Sequence, residues 1–216
     1  MFRRIVLFSL SLFIFLPLNS IAQWTTKNFP TQSVIKCFYQ MGNYLFAGTN
    51  SEGIYKSSDL GETWVASNNG LLNFGIKCFT SFENKLYAGT SYGIFISTDS
   101  GLNWDKIGVV LNNKSINALA VMSVNENTYL FAGTAGQGIY KSSDGGLNWE
   151  SKTEGLINQY ISSIVVFGNN VFAGTNLGIF ISENFGEIWT ERLGNNVITS
   201  FAFSDTIIYA GTSYNI

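Results

Sequence analysis

The chain has 216 residues, with 14 acidic against 12 basic side chains and no histidine. This balance builds no basic stripe for a phosphate backbone and argues against nucleic acid as a partner, while the missing imidazole removes the usual zinc ligand and general base. Aromatic residues at 15%, 22 glycines and only two prolines suit an all-β domain with many turns rather than a disordered chain.

In chain order, the first element is a leader. Arg3 and Arg4 give a positive start, Ile5 to Leu18 are almost wholly apolar, and Ser20-Ile21-Ala22 offers a small-residue cleavage site. The apolar run is too short for a membrane anchor and is broken by Pro17. Residues 1–22 are therefore expected to be a secretory signal peptide, with the mature chain secreted, periplasmic or on the cell surface, and without a membrane span once the leader is removed. Removing the leader takes Arg3 and Arg4 with it, so Arg192 becomes the one arginine of the mature chain.

From residue 33 onward the sequence repeats. SSDLGETW at Ser57 returns as STDSGLNW at Ser97, SSDGGLNW at Ser142 and SENFGEIW at Ser182. Four fixed positions at ordinary residue frequencies match by chance in roughly one window in 10⁵, so these copies mark an internal repeat. A second word, Ala-Gly-Thr, recurs at Ala47, Ala88, Ala132, Ala173 and Ala210 with the same period near 40. That period with short strands points to propeller blades. Each unit divides into four apolar runs joined by turn signals, the pattern of a four-stranded antiparallel sheet.

The predicted blades cover about 33–67, 75–107, 115–152 and 160–192, followed by a partial blade at 197–216. Trp24 precedes Trp64 by one period, which places a lone closing strand at 23–29. The fold class is thus an all-β, incomplete or open propeller of four full blades and part of a fifth. The expected domain at 23–216 is a fragment of a larger protein, able to self-associate through its open blade edge.

The S-x-D-x-G-x-x-W words belong at the hairpin between third and fourth strands. There the Ser57 hydroxyl and Asp59 carboxylate can accept turn amides, Gly61 takes a conformation strained for other residues, and Trp64 fills the space between neighbouring blades with its N–H on a carbonyl. The same structural roles fall to Ser97, Asp99, Gly101 and Trp104, to Ser142, Asp144, Gly146 and Trp149, and to Ser182, Asn184, Gly186 and Trp189. A carboxamide at Asn184 can cap the turn without charge.

These words, paired with Ala-Gly-Thr over nearly all of residues 24–216, resemble the Asp-box or BNR-repeat family of β-propellers. The resemblance implies the propeller fold. It implies little about activity, since sialidases, xyloglucan-degrading glycosidases, sortilin-like receptors and photosystem II assembly factor-like proteins share such turns.

No catalytic residue, metal ligand or cofactor site is expected. A sialidase needs several arginines, and hydrolysis by paired carboxylates needs two acids facing one cleft, whereas the acids here are turn residues or scattered surface charges. Glycine-rich loops such as the one at Thr134 join strands and do not open a helix, so they are not phosphate cradles. Cys37 and Cys78 sit one period apart at positions held later by Ala118, Ser163 and Ser200, which suggests buried free thiols at a site requiring a small side chain. The candidate ligand rim lies in the loops, at Asn50, Glu52, Asn69, Tyr92, Asn113, Gln137, Asn158 and Asn176, whose side chains suit a protein loop or a sugar. The leading expectation is a non-enzymatic interaction or scaffold module; the alternative is a glycan-binding or glycosidase-derived propeller domain.

Overall fold

Alternating apolar runs separated by glycine turns fold here as successive antiparallel meanders. The computed structural model describes residues 29–204 and 207–213; the expected leader, Trp24 and residues 214–216 lie outside the described residues, and of the expected closing strand only Phe29 is described. The first sheet comprises β1 (Ile35–Met41), β2 (Tyr44–Thr49), β3 (Ile54–Ser57) and β4 (Val65–Ala66). The second comprises β5 (Ile76–Phe82), β6 (Lys85–Thr90), β7 (Gly93–Ser97) and β8 (Asp105–Ile107). The third holds β9 (Ile116–Val124), β10 (Asn127–Thr134), β11 (Ile139–Ser142) and β12 (Glu150–Ser151), and the fourth β13 (Ile161–Phe167), β14 (Asn170–Thr175), β15 (Gly178–Ser182) and β16 (Thr190–Gly194). β17 (Ile198–Ser204) and β18 (Ile207–Thr212) pair as a fifth, two-stranded sheet.

The first strand of each sheet packs on the first strand of the next, β1 on β5, β5 on β9, β9 on β13 and β13 on β17. Among the described residues, no comparably close pairing joins the fifth sheet to the first. The sheets are therefore blades of an open β-propeller, with their first strands innermost. The apolar clusters lie between blades: Phe46 and Ile54 of the first pack with Ile76, Phe79, Phe95 and Trp104 of the second.

The Ala-Gly-Thr word is explained by this packing. A Cβ on Gly133 would lie 2.5 Å from Cγ2 of Ile161 on the next blade's inner strand, and Gly48, Gly89 and Gly174 meet Ile76, Ile116 and Ile198 in the same way. Only a residue without a side chain lets the next strand approach so closely. Across the first hairpin the same glycines face Cys37, Cys78, Ala118 and Ser163, which is why that position takes a small residue. Both cysteines are free thiols, and burial pushes the Cys37 thiol up to about 12. The threonine fastens the loop to β3 and its counterparts: Thr49, Thr90, Thr134 and Thr175 donate to Gly53, Gly93, Gly138 and Gly178 carbonyls, each at 2.9 Å.

Two kinds of junction alternate along the arc. Between the first and second blades, and again between the third and fourth, the indole N–H crosses to the preceding blade, Trp104 to the Ser67 carbonyl and Trp189 to the Lys152 carbonyl, both at 2.9 Å. A Cβ on Gly70 or Gly155 in the linker would strike the carbonyl oxygen of the same tryptophan, at 2.1 and 1.9 Å. At the fourth blade's turn Glu187 also receives Lys141 and Lys152 of the third, each at 2.7 Å.

Trp64 and Trp149 take their carbonyl from their own turn instead, Gly61 at 3.1 Å and Gly146 at 2.8 Å. For Trp149 the reason is the linker before it, where Gly108 sits against the indole nitrogen and a 3-10 turn spans Val109–Leu111. Trp64 is half-buried, with the Phe29 ring 4.9 Å from its own.

Two stability predictions follow from these contacts. The Ser163 hydroxyl is buried with no hydrogen-bond partner among the described residues, and Ala118 fills the equivalent site, so Ser163→Ala should stabilise the protein by about 1 kcal/mol in urea unfolding. Gly168 and Gly155 both have positive φ, 59° and 85°, but only Gly155 faces a backbone atom, since nothing lies within 4 Å of a Cβ on Gly168. Gly168→Ala should cost about 1 kcal/mol, the left-handed strain alone, and Gly155→Ala at least about 2 kcal/mol more; equal costs would contradict the junction geometry.

Candidate functional site on the propeller axis

Every inner strand carries the same irregularity. The register of the first hairpin shifts between Ile35 and Cys37, between Ile76 and Cys78, between Ile161 and Ser163 and between Ile198 and Ser200, and the pairing of β9 with β10 skips Asn117 in the same way. The residue left out of the ladder is Lys36, Lys77, Asn117, Ser162 or Thr199. A β-bulge redirects the side chain of the extra residue, and here all five line one cavity of about 410 Å³. Five blades therefore deliver five polar side chains to one place on the axis.

Hydrogen bonds hold part of this ring. Lys77 Nζ donates to Asn117 Oδ1 at 2.9 Å, and Asn117 Nδ2 donates to the Ile161 carbonyl at 3.0 Å, which fixes the amide's orientation across two blade junctions. The Ser162 hydroxyl lies 2.5 Å from the Ile198 carbonyl and 2.9 Å from that of Gly174. Lys36 is exposed and has no partner among the described residues. The walls are completed by Asn50, Ser91 and Asn176, which follow the Ala-Gly-Thr words, and by Tyr160, Val197, Ile76 and Ile198. Among the described residues, no carboxylate lines the cavity.

Of the loop residues expected to form a ligand rim, Asn50 and Asn176 line this cavity and the other six do not. Glu52 accepts the Tyr55 hydroxyl at 3.0 Å, Asn69 bonds Asn103 of the next turn, Gln137 accepts Lys114, and Asn158 accepts its own loop's Tyr160 amide at 2.9 Å. Tyr92 is exposed at its loop tip, and Asn113 occupies a left-handed turn position with φ 66°. The bulge residues were missed because Ile-Lys-Cys and its equivalents scan as ordinary alternation. The available signal was a polar residue recurring once per period on the innermost strand, between an invariably placed isoleucine and a small side chain.

The tryptophan-containing turns lie on the opposite face. In each, the serine hydroxyl donates to the acid or amide two residues on at 2.8 Å, from Ser57 to Asp59, Ser97 to Asp99, Ser142 to Asp144 and Ser182 to Asn184. The same hydroxyl accepts the amide of Gly61, Gly101, Gly146 or Gly186 at 2.8–2.9 Å. These glycines have φ between 82° and 93°. The carboxyl of Asp59 is held down to about 2 by the Thr63 hydroxyl and amide and by Ser57, and that of Asp99 to about 2 by the Asn103 side chain and amide. Asp144 is lowered by the Asn148 amide and side chain. On this face Glu83, Glu126 and Asp144 line a cavity of about 300 Å³, where both oxygens of Asp144 are already engaged by its own turn.

An ancestral GH74 enzyme superposes with a TM-score of 0.70 at 24% identity, over 82% of this chain and 27% of that one. The extracellular domain of a hybrid two-component system from B. thetaiotaomicron gives 0.70 at 20% identity, over 89% of this chain and 28% of that one. YCF48 bound to a D1 peptide gives 0.66 at 15% identity, over 88% and 64%. The fold is a β-propeller. This chain spans about a quarter of the length of the first of these relatives. No family model and no curated protein matches the chain.

The depressed carboxyls give a pH prediction. Their folded values lie below the ordinary value near 4, so the stability they confer is present above about pH 4 and is lost as pH falls towards about 2. Melting midpoints should fall across that window, and the Asp59→Asn/Asp99→Asn variant, imitating the uncharged turn at Asn184, should show a shallower fall. An unchanged slope would contradict the assignment.

Proposed function

We propose that the chain is an exported, non-catalytic propeller module that binds a segment of a partner protein on its axial face. The observation that carries this reading is the convergence of five bulge side chains on one cavity with room for a few residues of a ligand. Hydrolysis by paired carboxylates asks for two acids facing one cleft, and among the described residues none lines this cavity. Acids do meet on the opposite face, Glu83 and Glu126 with Asp144 in one cavity and Asp144 with Glu150 and Glu187 in another, but Asp144 is consumed by its turn and Glu150 and Glu187 by Lys141 and Lys152. The peptide-bound YCF48 structure supports the reading as a precedent for a protein ligand on the same fold. Likeness to GH74 enzymes supports the alternative, a glycan-binding domain, at a similar level of fold likeness. Export rests on the charged, apolar and small-residue order of positions 1–22.

Selection from a displayed peptide library against the whole chain tests the proposal. Peptides should be enriched whose affinity drops about tenfold or more in Asn117→Ala and Tyr160→Ala, and a polysaccharide panel should show neither saturable binding nor release of reducing sugar. Sugar release abolished by Glu83→Gln or Glu126→Gln would overturn it.

A further inference from the structure

The axial cavity has a charge of its own. The chain is acidic overall, yet among the described residues lining the cavity the charged groups are Lys36 and Lys77, with no acid beside them. They occupy the same bulge position on adjacent inner strands, β1 and β5, which pack on each other. Lysines scattered on a surface are ordinarily met by neighbouring acids or water; here the fold repeats one at the same axial point of two blades and sends the acids elsewhere. Lys77 uses one N–H on Asn117 and keeps two, and Lys36 keeps all three.

The uncharged part of the lining narrows the ligand. Thr199 and Tyr160 add hydroxyls, while Ile76, Ile198 and Val197 add an aliphatic wall beside the ammonium groups. Ser162 spends its proton on backbone carbonyls, and so presents no second donor. A bare tetrahedral anion makes no use of an aliphatic wall, and among the described residues no helix N-terminus points into the cavity to cradle one. A carboxylate on a short methylene stem uses both the ammonium pair and the wall.

We propose that the axial cavity binds the side-chain carboxylate of an acidic peptide segment, held between Lys36 and Lys77 with its methylenes against Ile76 and Ile198. This rests on the reading of the chain as a peptide-binding module and specifies the ligand of that same site. Association with such a segment is steered by charge and weakens with salt.

Fluorescence anisotropy with fluorescein-labelled hexaglutamate, titrated with the whole chain at low ionic strength, tests it. Saturable binding is expected, hexaglutamine should not bind, and Lys36→Gln/Lys77→Gln should weaken hexaglutamate about tenfold or more. Lys106→Gln, on the exposed outer strand β8, should leave binding within about twofold, since long-range charge alone contributes little there. Thr199→Glu, which keeps both lysines and adds an anion to the ring, should abolish binding, and unchanged melting midpoints would show that both variants are folded. Equal binding of the two peptides, or equal weakening by Lys106→Gln and the double variant, would overturn the proposal, as would displacement of hexaglutamate by trigalacturonate at lower concentration than by unlabelled hexaglutamate. Library selection of neutral peptides that need Asn117 and Tyr160, with no hexaglutamate binding, would sink this proposal and leave the peptide-binding reading standing.

Discussion

The architecture depends on one close approach: the glycine of each Ala-Gly-Thr word lies against the isoleucine of the next blade's inner strand. At Gly133 the room left is less than a methyl group requires. Because side chains of real size cannot enter, adjacent inner strands are held at a fixed separation, and the small residue across the hairpin keeps that separation uniform on the near side. The isoleucine then immobilises its own strand one residue before the bulge. The bulge residue is thereby placed at the same height on each blade, which is how five blades line one cavity. Packing and site are consequences of the same contact.

Such a scheme separates structural from recognitive residues. The tryptophan-bearing turns consume their own polar groups: serine and acid bond each other and the turn amides, leaving few acceptors for a ligand. The axial ring does the reverse. Asn117 and Ser162 tie the ring to carbonyls of the following blades, while the two lysines remain largely uncommitted. The alternating junctions add a second layer, since the first-to-second and third-to-fourth blades are locked by a crossing indole and a linker glycine, and the second-to-third by a 3-10 turn. A pair of blades, not a single one, is therefore the unit that recurs in the detailed packing.

Much of this was legible from residues alone. The period, the four strands per unit and the position of each turn could be read from Ser57 to Trp64 and its copies, because turn chemistry is local and leaves fixed spacing. The small site at Cys37 and Cys78 was visible as a size constraint, but the glycine opposite it was not, since strand register comes from pairing and not from one strand's pattern. The two environments of tryptophan were hidden for a related reason: Trp104 and Trp149 both end the word Gly-Leu-Asn-Trp, and what sets them apart is the linker that meets them. The ligand rim was sought among polar loops, where Asn69, Gln137 and Asn158 serve their own loops. The bulge was invisible because an extra residue in a ladder is defined by the partner strand.

The most direct test of the central contact is a double-mutant cycle between Gly133→Ala and Ile161→Ala, read as urea midpoints. Both changes act on one interface, so the account predicts that shortening Ile161 relieves part of the glycine's penalty and the double variant is more stable than the sum of the single losses by about 1 kcal/mol or more. Strictly additive losses would mean that the glycine does not gate the approach of the neighbouring blade, and would contradict the account.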